Sequence, residues 1–261
     1  MDEATGKVMA DLPVTKSETN WTYGNPTYWV AGHTYTFEAI APYNERIWEP
    51  TATGGDLTSI NVSNNTGTQD ILYATAQKKT PAKMDQNPGA VEFTFNHLLS
   101  KVKFTFKNAY TNENYTIKVK DIKITNAYKA GNFDMSSWTG SDETLTLNFG
   151  AATLKNGVEP GIITSGKSAE SNTELLLIPS PAEKSYNITF TAELTIGQKT
   201  AGTYNLTSTI TNVALEKGKS YNFTAFLNQT NIDPENPTAY PITFTVTKVE
   251  EWINGGDQHK I

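Results

Sequence analysis

The chain has 261 residues, of which 37% are hydrophobic and 18% charged, and its formal net charge is -6. This length allows one large domain or two smaller ones. The absence of cysteine excludes disulfide bonds, thiolate metal sites and a cysteine nucleophile. The negative charge and the single arginine, Arg46, give no basic surface for nucleic acid, so we expect no nucleic-acid partner. No apolar run reaches the roughly 18 residues of a transmembrane helix.

The first 90 residues alternate short β patterns with turn-rich segments. Strands are predicted at residues 29–41, 57–62 and 70–76, because apolar residues recur there with a period of two. Residues 78–90 contain two prolines, one glycine and no periodicity, which is typical of a linker. We therefore expect an N-terminal domain over residues 1–88, which ends in this linker, and a C-terminal domain over residues 89–261.

The most strongly patterned stretch is residues 91–107. Its apolar residues occupy odd positions up to His97 and even positions from Val102 onward, with Leu98 and Leu99 at the switch. A strand that slips by one residue exchanges its two faces, so a single strand cannot keep one buried face through this switch. The pattern predicts a bulge or a bend between two sheets, with His97 as a buried structural residue at the bend.

The remaining chain is nearly continuous β pattern. The apolar alternation that begins at residue 115 changes phase at Asp121, and the longest alternation runs over residues 186–196. Residues 175–178 are Leu-Leu-Leu-Ile, which indicates a strand buried on both faces. A turn is predicted at residues 216–219. Short strands separated by Gly, Pro and Asn turns predict an all-β sandwich or barrel.

No motif for chemistry emerges from the sequence. The three histidines lie far apart and lack partners at metal-ligand spacing, so we expect no catalytic residue, no metal and no cofactor, and the chain is not expected to be an enzyme. Exposed aromatic side chains among the five tryptophans could form a sugar-binding face. Core or edge packing is the favoured interpretation for most of the tryptophans, which are Trp21, Trp29, Trp48, Trp138 and Trp252.

Several segments, in this order, resemble the fimbrillin-like family (Mfa-like, type V pilins) of Bacteroidales surface lipoproteins. They are YWVAGHTYTFEAIAPYN at 28–44, DILYATA at 70–76, VEFTFNHLLSKVKFTFKN at 91–108, LLLIPSP at 175–181, GKSYNFTAFLN at 218–228 and ITFTVTKVEEW at 242–252. The most specific part is a structural signature of six residues within 95–102. These residues are Phe95, His97, Leu99, Ser100, Lys101 and Val102.

The resemblance implies two transthyretin-like antiparallel β-sandwich domains in tandem, in a structural or adhesive protein of the cell surface. Such proteins are exported, are anchored to the outer membrane or assembled into fimbriae, and bind other fimbrial subunits through strand exchange. Membrane attachment would be through a lipid anchor only, and the lipidated cysteine would lie outside this sequence. The alternative on the same fold is a carbohydrate-binding surface lipoprotein, with host or bacterial surface glycans or proteins as partners.

Polymerising family members lose an N-terminal strand to a protease that cleaves after a basic residue. The equivalent removable segment here would be residue 6 to about residue 14, with Lys16 as the candidate processing site. The donor strand of stalk subunits comes from the C-terminal end. Only nine residues, two of them glycines, follow Trp252, so anchor, tip and non-polymerising roles stay open beside a stalk role.

Overall fold

The computed structural model describes residues 9, 12–18, 20–24, 27–43, 47–53, 56–85, 87–154, 160–235, 241–252 and 259–260. In these ranges the chain forms strands, turns and irregular segments, and no helix is present. Accordingly, none of the described segments is a long apolar helix of the kind that crosses a membrane. The predicted all-β class is confirmed.

The strands were expected to be short and numerous. Those of the first hundred residues are β1 (Val14–Ser17), β2 (Asn20–Tyr23), β3 (Thr34–Ala41), β4 (Trp48–Thr53), β5 (Asp56–Ser63), β6 (Leu72–Lys79), β7 (Glu92–Phe93) and β8 (Asn96–His97). Those of the central region are β9 (Ser100–Asn108), β10 (Tyr115–Tyr128), β11 (Ala130–Phe133), β12 (Trp138–Gly140), β13 (Thr144–Gly150), β14 (Ala152–Thr153), β15 (Ser168–Ser171) and β16 (Leu175–Leu177). The last are β17 (Ser180–Ile196), β18 (Lys199–Leu215), β19 (Lys219–Leu227), β20 (Phe244–Glu251) and β21 (His259–Lys260).

The strands form four larger sheets and two isolated pairs among the described residues. The larger sheets have the orders β3-β6-β8, β12-β11-β5-β4, β13-β10-β17-β18 and β14-β15-β9-β19-β20, with β16 also paired to β9. The isolated pairs are β1-β2 and β7-β21. The named pairings are antiparallel except that of β9 with β19, which is parallel.

Local sequence accounts for the irregularities of the long strands. In β10 the register against β17 shifts between Lys120 and Lys123, and Asp121 between them has a φ of 57°. An extra residue in this conformation is a β-bulge, which moves the following side chains to the other face. The predicted phase change at Asp121 is therefore confirmed. The predicted turn at 216–219 also forms, with Gly218 at a φ of 68°.

A large core lies between the sheets β13-β10-β17-β18 and β14-β15-β9-β19-β20, which both contribute buried side chains to it. Aromatic rings connect the two sheets: the ring centroids of Phe104 and Phe149 are 4.8 Å apart, and those of Phe106 and Phe190 are 4.9 Å apart. These residues are fully or almost fully buried. Burial of such large apolar areas is the main contribution to the stability of this half.

A small core combines distant parts of the chain. Its buried members are Ile60, Val62, Ile71, Leu98, Leu99, Phe133, Trp138, Leu176 and Ile178. The hairpin β11-β12 is part of it because β11 pairs with β5 in antiparallel register. Residues on both sides of the expected boundary at 88/89 thus share one core. The division into domains 1–88 and 89–261, with its linker at 78–90, stays a prediction.

Strand β16 lies between the two cores. Leu175 and Leu177 belong to the large core, whereas Leu176 and Ile178 belong to the small core. Successive side chains of a strand point to opposite faces, so a four-residue apolar run can contribute to two cores at once. The sequence-based prediction that this run is buried on both faces is confirmed.

Candidate functional site at the junction of the two cores

The signature segment at 95–102 carries the chain from one sheet to another. His97 in β8 pairs with Leu72 of β6, and three residues later Ser100 begins β9. Leu99 is buried in the small core, while Val102 is buried in the large core. The switch in apolar phase predicted from the sequence is therefore a bend between two sheets. Of the other two signature residues, Phe95 is half-buried with its ring 6.1 Å from that of Phe93, and Lys101 is half-buried in β9.

His97 is held by two side chains from distant parts of the chain. It is 5% exposed, and its Nδ1 lies 2.5 Å from Oδ2 of Asp70. Because an ionised carboxylate only accepts hydrogen bonds, this contact places a proton on Nδ1. The imidazole also stacks on the indole of Trp252, with ring centroids 3.5 Å apart and an interplanar angle of 11°. Its Nε2 is buried and has no hydrogen-bond partner among the described residues.

The turn between β18 and β19 is hydrogen-bonded both to this bend and to Trp252, the residue that follows β20. Ser100 Oγ donates to the carbonyl of Glu216 at 2.7 Å, and the N–H of Gly218 donates to the carbonyl of Leu99 at 2.9 Å. The N–H of Trp252 donates to the carbonyl of Gly218 at 2.8 Å. A residue with positive φ is required at Gly218, and a Cβ there would already touch the carbonyl of His97 at 3.4 Å.

Two lysines near the bend lie over aromatic rings. The ammonium of Lys101 lies 5.0 Å from the ring of Trp252, on which His97 also stacks, and 3.3 Å from a carboxylate oxygen of Glu174. Lys217 lies over the ring of Phe133 at 4.4 Å, and burial lowers the pKa of its ammonium group. Cation–π contacts of this kind contribute about 0.5–1 kcal/mol at exposed positions.

The hairpin that carries Phe133 is shaped by Asp134. Its Oδ1 accepts hydrogen bonds from the backbone N–H groups of Ser137 and Ser136. These donors lower the pKa of the Asp134 carboxyl group to about 2. The carboxylate thereby stabilises the tight loop that returns Trp138 to the small core.

Three strands bear on strand exchange, namely the edge strand β20, the C-terminal strand β21 and the N-terminal strand β1. Strand β20 pairs with β19 on one side only within the described sheets, and its side chains from Thr245 to Glu251 are exposed. Strand β21 pairs with β7 through His259 and Lys260. The sequence of the short segment after Trp252 did not predict a strand there. Lys16, the candidate processing site, lies exposed in β1 with its ammonium 5.8 Å from the ring of Trp21.

The described residues include no group of three or more histidine, aspartate or glutamate side chains that could hold a metal ion. His33 is exposed beside Tyr35, with ring centroids 6.3 Å apart. Trp138 is buried and the other four tryptophans are half-buried. The sequence pattern did not indicate Asp70 and Trp252 as partners of His97. Only the hydrophobic phase around His97 signalled burial, and a pattern of that kind carries no information on distant partners.

Comparison with known proteins identifies the family to which the chain is similar. Residues 2–250 match the family model described as fimbrillin-like. A fimbrial protein from Bacteroides vulgatus has a similar structure, with a TM-score of 0.62 at 19% identity over 94% of this chain and 86% of that chain. No curated protein sequence matches the chain.

Two further solved structures are more distant. A putative cell adhesion protein from Bacteroides uniformis aligns with a TM-score of 0.46 at 17% identity, over 92% of this chain and 79% of that chain. The fimbrial anchor protein Mfa2 from Porphyromonas gingivalis aligns with a TM-score of 0.38 at 11% identity, over 93% and 80%. These two scores are too low to establish a shared fold. The family model, however, covers nearly the whole chain, and the protein belongs to the fimbrillin-like family.

Proposed function

We propose that the chain is a structural and adhesive protein of the cell surface, a fimbrial subunit or accessory protein that joins other fimbrial subunits by strand exchange. The observation that carries this proposal is the fimbrillin-like match over residues 2–250. The fold shared with a Bacteroides fimbrial protein supports it. We propose export to the cell surface, with outer-membrane anchoring through a lipid or incorporation into fimbriae. We also propose that the two cores correspond to tandem transthyretin-like sandwich domains.

Strand β20 supports the assembly step physically. Beyond its pairing with β19, its outer edge presents backbone N–H and C=O groups that no other described strand pairs with. Val246 and Val249 on this edge strand are 43% and 51% exposed. A long exposed edge with apolar side chains is a template for an added strand, because the partner gains main-chain hydrogen bonds and apolar contacts together.

The two chain ends bear on the same step. The pairing of β21 with β7 indicates that the C-terminal end has the capacity to form a strand, which favours a donor role for it. At the N-terminal side, β1 pairs with β2 alone among the described strands. Of the proposed removable segment, residues 6–8, 10 and 11 lie outside the described residues. Cleavage after Lys16 would divide β1.

Limited proteolysis tests the proposal. We expect trypsin to cleave after Lys16 and the cleaved protein to form oligomers, which light scattering after size-exclusion chromatography would detect and mass spectrometry would assign to the cut. A Lys16→Gln variant is the matched control and should stay monomeric under the same treatment. Absence of oligomers, even with native partner subunits present, would contradict assembly triggered by cleavage.

The edge strand has its own test. A Val246→Lys and Val249→Lys double variant should reduce oligomer formation, because charged side chains on an edge oppose strand addition. Ile162→Lys is the control, since Ile162 is 51% exposed but lies outside the named strands. Equal oligomer yield from the double variant and the control would exclude β20 as the accepting edge.

A further inference from the structure

Two adjoining concavities flank the loop at residues 64–70. The first has a volume of about 180 Å³ and the second, which is more open, about 420 Å³. Gln69 lines both, so the two spaces meet at this side chain. At about 30 Å³ for each water molecule, the first holds about six water molecules, and a hexose ring with its hydroxyl groups is of comparable size.

The loop is held in shape by hydrogen bonds that leave several polar side chains without a hydrogen-bond partner among the described residues. Asn64 donates to the carbonyl of Leu176 at 2.8 Å and accepts from the N–H of Gly67 at 2.8 Å, so both ends of its amide are used. Ser63, Asn65 and Gln69 line the first concavity as well, and their side chains have no hydrogen bond to other described residues. The concavity therefore offers one hydroxyl and two amide groups to a ligand.

The described lining residues carry almost no charge that a ligand could pair with. Among the residues that the structure describes, no lysine or arginine lines either space. The one carboxylate, Asp70, already accepts from the N–H of Ile71 through Oδ1 and from His97 through Oδ2. The apolar residues that line the first concavity include Ile47, which is half-buried, beside the buried Val62 and Leu99. Neutral hydrogen-bonding groups beside an apolar side chain are complementary to a ligand with hydroxyl groups and a C–H face.

We propose that the 64–70 loop binds one uncharged sugar residue of a surface glycan in the first concavity, with the neighbouring residue of the glycan in the second. Gln69 contacts both sugars from its position between the spaces. This activity goes beyond assembly by strand exchange and does not depend on it.

A small polar site of this kind is expected to be weak for a single sugar. We expect a dissociation constant on the order of 1 mM for one sugar residue. Presentation of many copies along a fimbria would raise the overall avidity without new contacts.

Saturation-transfer difference NMR on the full chain tests the site. The probes are D-glucose, D-galactose, D-mannose and N-acetylglucosamine at millimolar concentration, with N-acetylneuraminic acid as the charged counterpart. We expect saturation transfer to at least one neutral sugar and about fivefold weaker binding in Gln69→Ala, because one hydrogen-bonding group is lost. Gln69→Trp, which fills the shared space, should also weaken binding.

Gln77→Ala is the matched control, because Gln77 is an exposed glutamine of β6 that lines neither concavity. It should bind as the wild type does, and thermal unfolding should show that the variants remain folded. The proposal is overturned if no neutral sugar receives saturation, if Gln69→Ala and Gln69→Trp bind as the wild type does, or if only the charged sugar binds. None of these outcomes bears on oligomer formation after proteolysis.

Discussion

At the residue scale, the contact between His97 and Trp252 is the tightest aromatic stack among the described rings of the junction. The imidazole is held on one edge by Asp70 and on one face by the indole, and Lys101 lies near the same indole. Trp252 is the last described residue before the C-terminal segment that leads to β21. The stack therefore ties the start of that segment to the bend between the two sheets.

Replacement of Trp252 by alanine should lower the free energy of unfolding by about 2 kcal/mol, below the range for fully buried tryptophans because this side chain is half-buried. Urea denaturation followed by circular dichroism would measure the change. Trp252→Phe keeps an aromatic face for His97 and should lose less than half as much. If both variants were destabilised equally, the stack with His97 would not be the source of the stability.

The burial of His97 was predictable because it lies on the apolar phase of a strongly alternating strand. Its partners were not predictable. Asp70 precedes it by 27 residues and Trp252 lies near the other end of the chain. Hydrophobic periodicity states which face of a strand is buried, but it does not state which distant side chain covers that face.

At the scale of secondary-structure elements, β16 is the strand that both cores share. Its alternate leucines contact different cores, since Leu177 is buried in the large core and Leu176 in the small core. A strand at the surface of a sandwich would have one wet face, on which truncation of a side chain would have little effect. Strand β16 has none, and this makes both faces sensitive.

Leu176→Ala and Leu177→Ala should each lower the free energy of unfolding by about 3 kcal/mol, because each leaves a cavity in a core. Chemical denaturation of the two variants would measure the losses. The control is Ile162→Ala, at a 51% exposed position, which should change stability by less than about 0.5 kcal/mol. A neutral Leu176→Ala variant would show that the small core does not depend on β16.

The sequence predicted where strands occur along the chain, but not which strands pair with one another. The predicted strand at 57–62 is observed as β5 (Asp56–Ser63), and the predicted strand at 29–41 begins later, at Thr34. The hairpin β11-β12 was not predicted, because Ala130–Phe133 shows no sustained alternation. It forms because β11 pairs with the edge of β5 and because Phe133 is buried in the small core. Tertiary contacts of this kind override weak local propensity.

At the scale of the whole molecule, the two halves of the chain differ in how far each supplies the buried residues of its own hydrophobic core. The buried members of the large core all lie at or beyond Val102. The small core needs Leu98, Leu99 and the hairpin with Phe133 in addition to residues of the first half. Among the described residues, the C-terminal half thus has a complete core of its own, whereas the N-terminal half does not.

A fragment of residues 89–261 should therefore unfold cooperatively, and a fragment of residues 1–88 should not fold alone. Far-ultraviolet circular dichroism during thermal unfolding would measure both. Addition of the larger fragment to the smaller one should restore β structure, because the missing side chains of the small core are then supplied. Independent cooperative unfolding of residues 1–88 would contradict the shared core.

The amino-acid sequence determined the all-β class, the change of apolar phase at Asp121, the burial of residues 175–178 on both faces and the bend near Leu98 and Leu99. Each of these follows from the two-residue period of a strand, which is a local property. The tertiary structure determined the small core, the insertion of β11-β12 beside β5 and the contacts of His97. These depend on contacts between residues that are far apart along the chain, and the hydrophobic effect that stabilises them is non-directional. Local periodicity therefore predicts that a face is buried, and only the folded chain specifies what buries it.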